Sequence, residues 1–339
     1  MTGLDALVRA VRAAGRRVPP IRWAGRAVAG AILREFQRDA AATGAAGQDG
    51  GQAMGAAPLW VPPGHFFSPV TDPGELAAIT PSPFDADAVP AWTPPPGIDL
   101  NAEAQAEVAG RIAAARASLP LEAWRTGTGG TRYTADNPAF PLADAMVLGG
   151  LMAAFAPRRV VEIGSGHSTC ALLDIRDALP GDPATVTLVE PYPQLLRSLL
   201  RPGDPERVTL IPTPAQALDL DVVRALEAGD ILFIDSTHVA KTGSDVLHHF
   251  FATLPAVAPG VLIHLHDVFW GFEYPHAWAV AENRSWNELY LLRAFLMHNR
   301  DYEILFFPDW YRRAFPEAAR RALPELMEAS VTSFWMRKR

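Results

Sequence analysis

Cys170 is the one cysteine in 339 residues. A single thiol excludes an internal disulfide and fits a reducing compartment. Lysine is nearly missing too. Of 30 basic residues only Lys241 and Lys338 are lysine, and the rest are arginine. With so much alanine and proline, that bias reads as genome composition rather than function. Positive charge is in deficit, with a net of −7, so no broad nucleic-acid surface is expected. No apolar run reaches about 18 residues, so no membrane-spanning helix is expected. The first residues hold Arg9, Arg12, Arg16 and Arg17, where a secretory signal needs an apolar core. These absences point to the cytoplasm. No internal repeat is present.

What remains is the composition of a soluble globular chain, 49% hydrophobic and 20% charged. Its length suits one large domain or two. Residues 1–40 carry eight arginines against Asp5, Glu35 and Asp39, a local net of +5. Leu4, Leu7, Val8 and Val11 recur there at helical spacing, and Gly, Ala and Gln follow. Residues 1–57 are therefore expected to form a basic helix and a flexible linker. Such a helix could lie on an anionic surface, or be a solvated arm.

Residues 58–100 are rich in proline yet punctuated by Trp60, His65, Phe66, Phe67, Phe84 and Trp92. Disordered linkers are poor in aromatics, so this segment is expected to pack in extended form on the core. Asn101 is expected to cap a helix ending before Pro120, and 142–155 reads as an apolar helix. Together 58–157 form a second region, a Pro-rich segment with helices packed on the main domain at 158–339.

That domain opens with Arg158 to Cys170, R-R-V-V-E-I-G-S-G-H-S-T-C. A short apolar strand carries one acid, Glu162, and is broken by Gly164 and Gly166 where a helix starts. Glycines let ligand atoms approach the backbone. The helix start offers unpaired N–H groups. An acid at the strand end suits an amino or hydroxyl group. The dinucleotide fingerprint would need glycine where Thr169 stands. A serine-hydrolase elbow at Ser168 would need glycine in place of Cys170.

From there strands are expected at 158–163, 184–190, 207–211, 230–234, 260–265, 302–307 and 331–336. Helices alternate with them, among them 193–200, 219–227, 243–254 and 286–298. This pattern predicts an α/β fold: a seven-stranded Rossmann-like sheet, largely parallel, with helices on both faces. Ligands of such sheets sit at the carboxyl ends of the strands. Glu162, Gly164, Glu190, Asp235, His266 and Asp267 all stand at those ends.

The turn at 161–169, Glu190, the Asp235 strand end and the closing hairpin resemble class I S-adenosylmethionine-dependent methyltransferases. Several runs are similar to one bacterial branch acting on small molecules: G-H-F-F-S-P-V at 64–70, E-P-Y-P at 190–193, F-I-D-S-T-H-V-A-K at 233–241, H-L-H-D-V-F at 264–269 and W-N-E-L-Y-L-L-R-A-F-L at 286–296. The resemblance implies S-adenosyl-L-methionine as cofactor. Glu162, Gly164, Ser165, Gly166 and Ser168 would hold its methionine end. Glu190 would take the ribose hydroxyls, Gln216 would flank the adenine, and Asp235 would lie by the sulfonium.

Acid–base work would then fall to Asp235, His238 and His266, with His238 the first choice of base. Catechol-type relatives carry a divalent ion on acids after the fourth and fifth strands. Asp235 and Asp267 match those positions, Val268 departs from the pattern, and His238 or His266 could complete the ligand set. His65 is a further candidate to reach the site. Trp270, Phe272, Tyr274, Trp278, Trp286, Trp310 and Tyr311 are expected to roof the acceptor pocket. Asn137-Pro138-Ala139-Phe140 is near the N-P-P-[YF] signature of amino-methylating enzymes on nucleic acids. The expected activity is O-methylation of a small-molecule hydroxyl, by a monomer or a homo-oligomer. Three alternatives stay open: a metal-dependent enzyme of different chemistry on this fold, a hydrolase using Ser168, Asp235 and His266, and a non-catalytic scaffold.

Overall fold

The computed structural model describes residues 60–62, 64–79, 82–84, 89–181 and 183–339. The chain divides into two compact units, Met1–Trp60 and Val61–Arg339. The expected basic helix and linker at 1–57 lie outside the described residues. The second unit holds the sheet and the candidate site.

Seven strands build the sheet: β1 (Arg159–Ile163), β2 (Thr185–Val189), β3 (Thr209–Ile211), β4 (Ile231–Ile234), β5 (Leu262–Leu265), β6 (Tyr302–Phe306) and β7 (Phe334–Lys338). Their spatial order is β3-β2-β1-β4-β5-β7-β6. β7 runs antiparallel to both its neighbours and the remaining pairs are parallel. β4 and β5 are buried throughout, as expected of strands covered on both faces. The direction of winding reverses between β1 and β4, so their carboxyl ends frame the crevice of an open α/β sheet.

Four helices position the site: α1 (Ala102–Ala115), α2 (Leu142–Phe155), α3 (His167–Ala178) and α4 (Glu288–Leu296). α2 packs against both α1 and α3. It is apolar on every face apart from Asp144, so it is buried almost end to end. No helix among the described residues is long and apolar enough to cross a membrane.

Four sequence expectations shift in the structure. Asn101 does not cap α1 with its side chain. It adopts a left-handed φ of 52° and donates its amide to the Ile304 carbonyl instead. The helix expected at 243–254 is interrupted by a wide π turn at His249–Thr253. Pro255 lacks an N–H and crowds the preceding turn, and the widened turn absorbs both effects. β7 starts at Phe334 rather than 331, because the N–H groups of Thr332 and Ser333 go to the Asp144 carboxylate. Of the expected roof, Trp270, Phe272, Tyr274, Trp310 and Tyr311 are core residues. The indoles of Trp270 and Trp310 anchor the Pro-rich segment by donating to the Val89 and Ala91 carbonyls.

Candidate functional site

The backbone ladder continues one residue past each strand end. Gly164 N–H donates to Val189 O, Asp235 N–H to Ile163 O, His266 N–H to Ile234 O, and Glu190 N–H to Ile211 O. These bonds set Glu190, Gly164, Asp235 and His266 in a row along the carboxyl edge of the sheet.

Glu162 is buried beneath the turn. Its carboxyl accepts from Ser168 Oγ at 2.5 Å and Thr169 Oγ1 at 2.8 Å, fastening the first turn of α3 to β1. Burial pushes this carboxyl up to about 8, although the two hydroxyl bonds pull the other way. Ser165 Oγ is buried with no partner among the described residues. The Glu190 carboxylate accepts Ser165 N–H at 3.2 Å and Tyr192 N–H at 2.8 Å, which holds it facing the turn. Gln216 reaches across to donate to the Gly243 carbonyl at 2.9 Å.

At the ends of β4 and β5 the side chains converge on one imidazole. His238 Nε2 lies 3.4 Å from Asp235 Oδ1 and 3.4 Å from Asp267 Oδ2. Its Nδ1 lies 2.8 Å from Glu288 Oε2. Burial alone would lower the pKa of this ring, but the bonds to Asp235 and Glu288 and the charge of Asp267 lift it well above the usual imidazole value. These surroundings favour the protonated ring. Burial also raises the Asp267 carboxyl, and nearby Asp235 adds to the rise. For Asp235 burial is outweighed by His266 and His238, and its carboxyl is lowered. His238 and Asp267 take left-handed φ values of 60° and 57°. Such a backbone is uncommon for residues with a Cβ and is found at sites where the surrounding structure enforces it.

His266 faces the other way. Its Nε2 lies 3.2 Å from Thr332 Oγ1 and 3.4 Å from the Ala139 carbonyl, and 3.8 Å from Asp267 Oδ1. Thr332 in turn donates to Asp144. The 137–140 loop thus borders the site, with the Phe140 ring 5.3 Å from His266. The Asn137 amide is engaged by its own loop: its oxygen accepts from Ala139 and Phe140 N–H, and its nitrogen donates to the Thr134 and Phe140 carbonyls. Trp278 and Trp286 are the half-exposed members of the expected roof. Trp286 lies 4.5 Å from the His238 ring, and the Arg284 guanidinium sits over both indoles.

Several expectations fail on this geometry. Among the described residues no group of three or more His, Cys, Asp or Glu is disposed to hold a metal ion. Of the four expected ligands, His238 Nε2 lies against Asp235 and Asp267, and His266 is turned to Thr332. The geometry thus gives no support for a divalent ion on them. Ser168 is bonded to Glu162 rather than to a histidine, so the hydrolase has no activated nucleophile. His65 stacks on Phe66 at 4.2 Å and accepts from Phe67 N–H, within its own segment. Cys170 is buried and its thiol is raised to about 12, chiefly by that burial.

Three residues at the site were not singled out in the sequence. Glu288 lies on the stripe 288, 292, 296, where its neighbours are leucines. An acid at that spacing is a signal, since buried acids require a partner. Asp144 is the sole charge of an apolar helix and carries the same signal. Thr332 had none.

A family model described as a methyltransferase domain matches residues 161–268. An uncharacterised protein of Archaeoglobus fulgidus is 30% identical over 172 residues, covering 49% of this chain and 73% of that one. Among solved structures, a Podospora anserina methyltransferase with bound S-adenosylhomocysteine is 19% identical, covering 65% of this chain and 86% of its own, with a TM-score of 0.39. An O-methyltransferase of Streptomyces achromogenes, involved in tomaymycin synthesis and solved with S-adenosylmethionine, is 19% identical, covers 58% and 80%, and scores 0.35. A Thiobacillus denitrificans methyltransferase with S-adenosylhomocysteine is 18% identical, covers 60% and 93%, and also scores 0.35.

Proposed function

The chain belongs to the class I S-adenosylmethionine-dependent methyltransferases, and on that footing we propose that it methylates a hydroxyl group of a small molecule. The observation that carries this reading is the meeting of Asp235, Asp267 and the His238 ring beside the glycine turn. When bound, S-adenosylmethionine supplies a methyl carbon made electrophilic by its sulfonium.

The residues at the turn suit that cofactor. The Glu190 carboxylate is fixed by two backbone N–H groups and keeps lone pairs for the two ribose hydroxyls. Ser165 has a buried hydroxyl with no partner among the described residues. Gly164, Gly166, Ser168 and Glu162 shape the end that would receive the amino acid moiety. Gln216, bonded to the Gly243 carbonyl, would flank the adenine.

The acceptor hydroxyl would sit between Asp235 and Asp267. Its oxygen would take the methyl group from the bound cofactor, whose sulfur would keep the electron pair of the broken carbon–sulfur bond. The hydroxyl proton passes to Asp267, whose raised pKa makes it the better base of the two acids. In this reading His238, first choice of base on sequence, would instead fix both carboxylates. Alignment of the three atoms in line is the rest of the task. The mouth beside Trp278 and Trp286 suits a sugar face or an aromatic ring.

Calorimetric titration with S-adenosylmethionine and S-adenosylhomocysteine tests the cofactor. A screen of sugars, catechols and amines with methyl-labelled cofactor tests the acceptor. A folded sample that binds neither ligand would sink the assignment. Label transfer to amines alone would replace oxygen by nitrogen.

A further inference from the structure

We propose that Glu288 is the positioning residue of this site, fixing the His238 ring so that Nδ1–H points to its own carboxylate and Nε2 to Asp235 and Asp267. The inference rests on the methyltransferase reading for its consequence, and on geometry for its cause.

A carboxylate only accepts, so the 2.8 Å contact between Glu288 Oε2 and His238 Nδ1 requires the proton on Nδ1. That settles the ring's orientation, and the opposite nitrogen falls 3.4 Å from each catalytic carboxylate. Both partners are almost wholly buried, His238 at 4% and Glu288 at 3% exposure. The same stretch also clamps the loop that carries His238. Asn287 N–H and Glu288 N–H both donate to the His238 carbonyl. The Asn287 side chain accepts from Ala240 N–H at 2.6 Å and donates to the Ala240 carbonyl at 3.3 Å. Ring and backbone are thus set by three consecutive residues, with Trp286 against the face of the imidazole.

The hydrogen-bond pattern separates this acid from the structural ones. Asp174 accepts from Trp124, Arg132 and Tyr133; Asp230 from Arg158, Arg159 and Glu227; Glu325 from two arginines. Each of these ties distant chain segments together. Among the described residues the Glu288 carboxylate has one partner, His238, and its other oxygen is buried with none. A buried acid held only to orient one imidazole is the arrangement by which a third group fixes a catalytic base or cation.

The test uses the full chain with ¹⁵N-labelled histidine. The His238 ring is assigned by its disappearance in His238→Gln. In the wild type we expect a protected Nδ1 proton far downfield; its absence would overturn the proposal without any variant. In Glu288→Gln we expect the His238 ring ¹⁵N shifts to move, and in Glu288→Asp to return part of the way. Unchanged shifts in Glu288→Gln would overturn it. With an acceptor identified by methyl-label transfer, Glu288→Gln should lower kcat about 10- to 100-fold, with KM for S-adenosylmethionine and the melting temperature nearly unchanged. A wild-type kcat, or a loss confined to stability, would make Glu288 structural only. Failure to bind S-adenosylmethionine or S-adenosylhomocysteine would sink the methyltransferase reading instead and leave the ring measurement standing.

Discussion

The backbones of Gly164 and Asp235 are in contact: a Cβ placed on Gly164 would stand 1.6 Å from the Asp235 carbonyl oxygen. Gly164 also has a φ of +85°, a conformation that costs other residues strain. The turn at the end of β1 and the acid at the end of β4 therefore hold one another in register. Gly164→Ala should destabilise the protein by about 3 kcal/mol, the upper range for overpacking a tight contact. Urea unfolding gives that number. A variant as stable as the wild type would mean that the two strand ends move apart freely.

Glu190 offers a cleaner probe of binding, since it is part-exposed and accepts from only two backbone N–H groups among the described residues. Glu190→Ala should weaken S-adenosylhomocysteine binding at least tenfold, about 1.4 kcal/mol, while the melting temperature shifts little. Calorimetry decides it, and an unaltered affinity removes Glu190 from the cofactor site.

Glu162 makes stability depend on pH. Its folded pKa, about 8, lies above the value near 4.3 of an unfolded glutamate. The folded state thus holds a proton that the unfolded state has released. Its contribution is complete below about pH 4, falls as pH rises, and is lost above about 8. Urea midpoints should decline across that interval, and Glu162→Gln should flatten the decline. Parallel curves for the two proteins would show that Glu162 is ionised in the fold.

Much of this was legible in the sequence for a physical reason. Buried parallel strands are continuous apolar runs, so the first polar residue after each run marks the carboxyl edge. Glu190, Asp235 and His266 were found in that way. The partners that orient them were not, because each belongs to another rhythm. Glu288 hides in a helical stripe, and Asp144 in a helix without a polar face. Thr332 stands in a stretch that alternates like a strand, but its N–H leaves the ladder for Asp144. The Asn101 side chain was misjudged because a cap-forming residue can equally well take a left-handed backbone. Local pattern identifies what faces the crevice; which tertiary partner turns each group requires the packed fold.

Asp144 lets that relation be tested through stability. Its buried carboxylate accepts from Thr332 N–H, Thr332 Oγ1 and Ser333 N–H, all at or below 3.2 Å. Thr332 then meets His266. Asp144→Ala would leave two backbone donors buried and unpaired, at a cost of about 1–3 kcal/mol each. Thr332→Val keeps the backbone bonds and removes the hydroxyl's links to Asp144 and His266, so it should cost about 1 kcal/mol. Equal losses in the two variants would mean that the hydroxyl, not the backbone, carries the connection.

Asp235 and Asp267 flank the same imidazole, yet their environments push them apart, and that difference predicts unequal consequences. Asp235 is held ionised by His266 and His238, with its side chain 27% exposed. Asp267 is more deeply set, at 14%, and its carboxyl is raised. If Asp267 accepts the proton, Asp267→Asn should lower kcat by about 10²- to 10⁴-fold, the usual share of a general base, while leaving S-adenosylhomocysteine affinity within about threefold. Because a base of raised pKa must be deprotonated to act, wild-type activity should fall on the acid side, and Asp267→Asn should lose that limb. Asp235→Asn should also depress turnover, but keep the limb, since it leaves the proton acceptor in place. The pH–rate profiles of the two variants, with one acceptor and saturating S-adenosylmethionine, separate the roles. If Asp235→Asn abolishes the acid limb and Asp267→Asn retains it, the two carboxylates exchange their assignments.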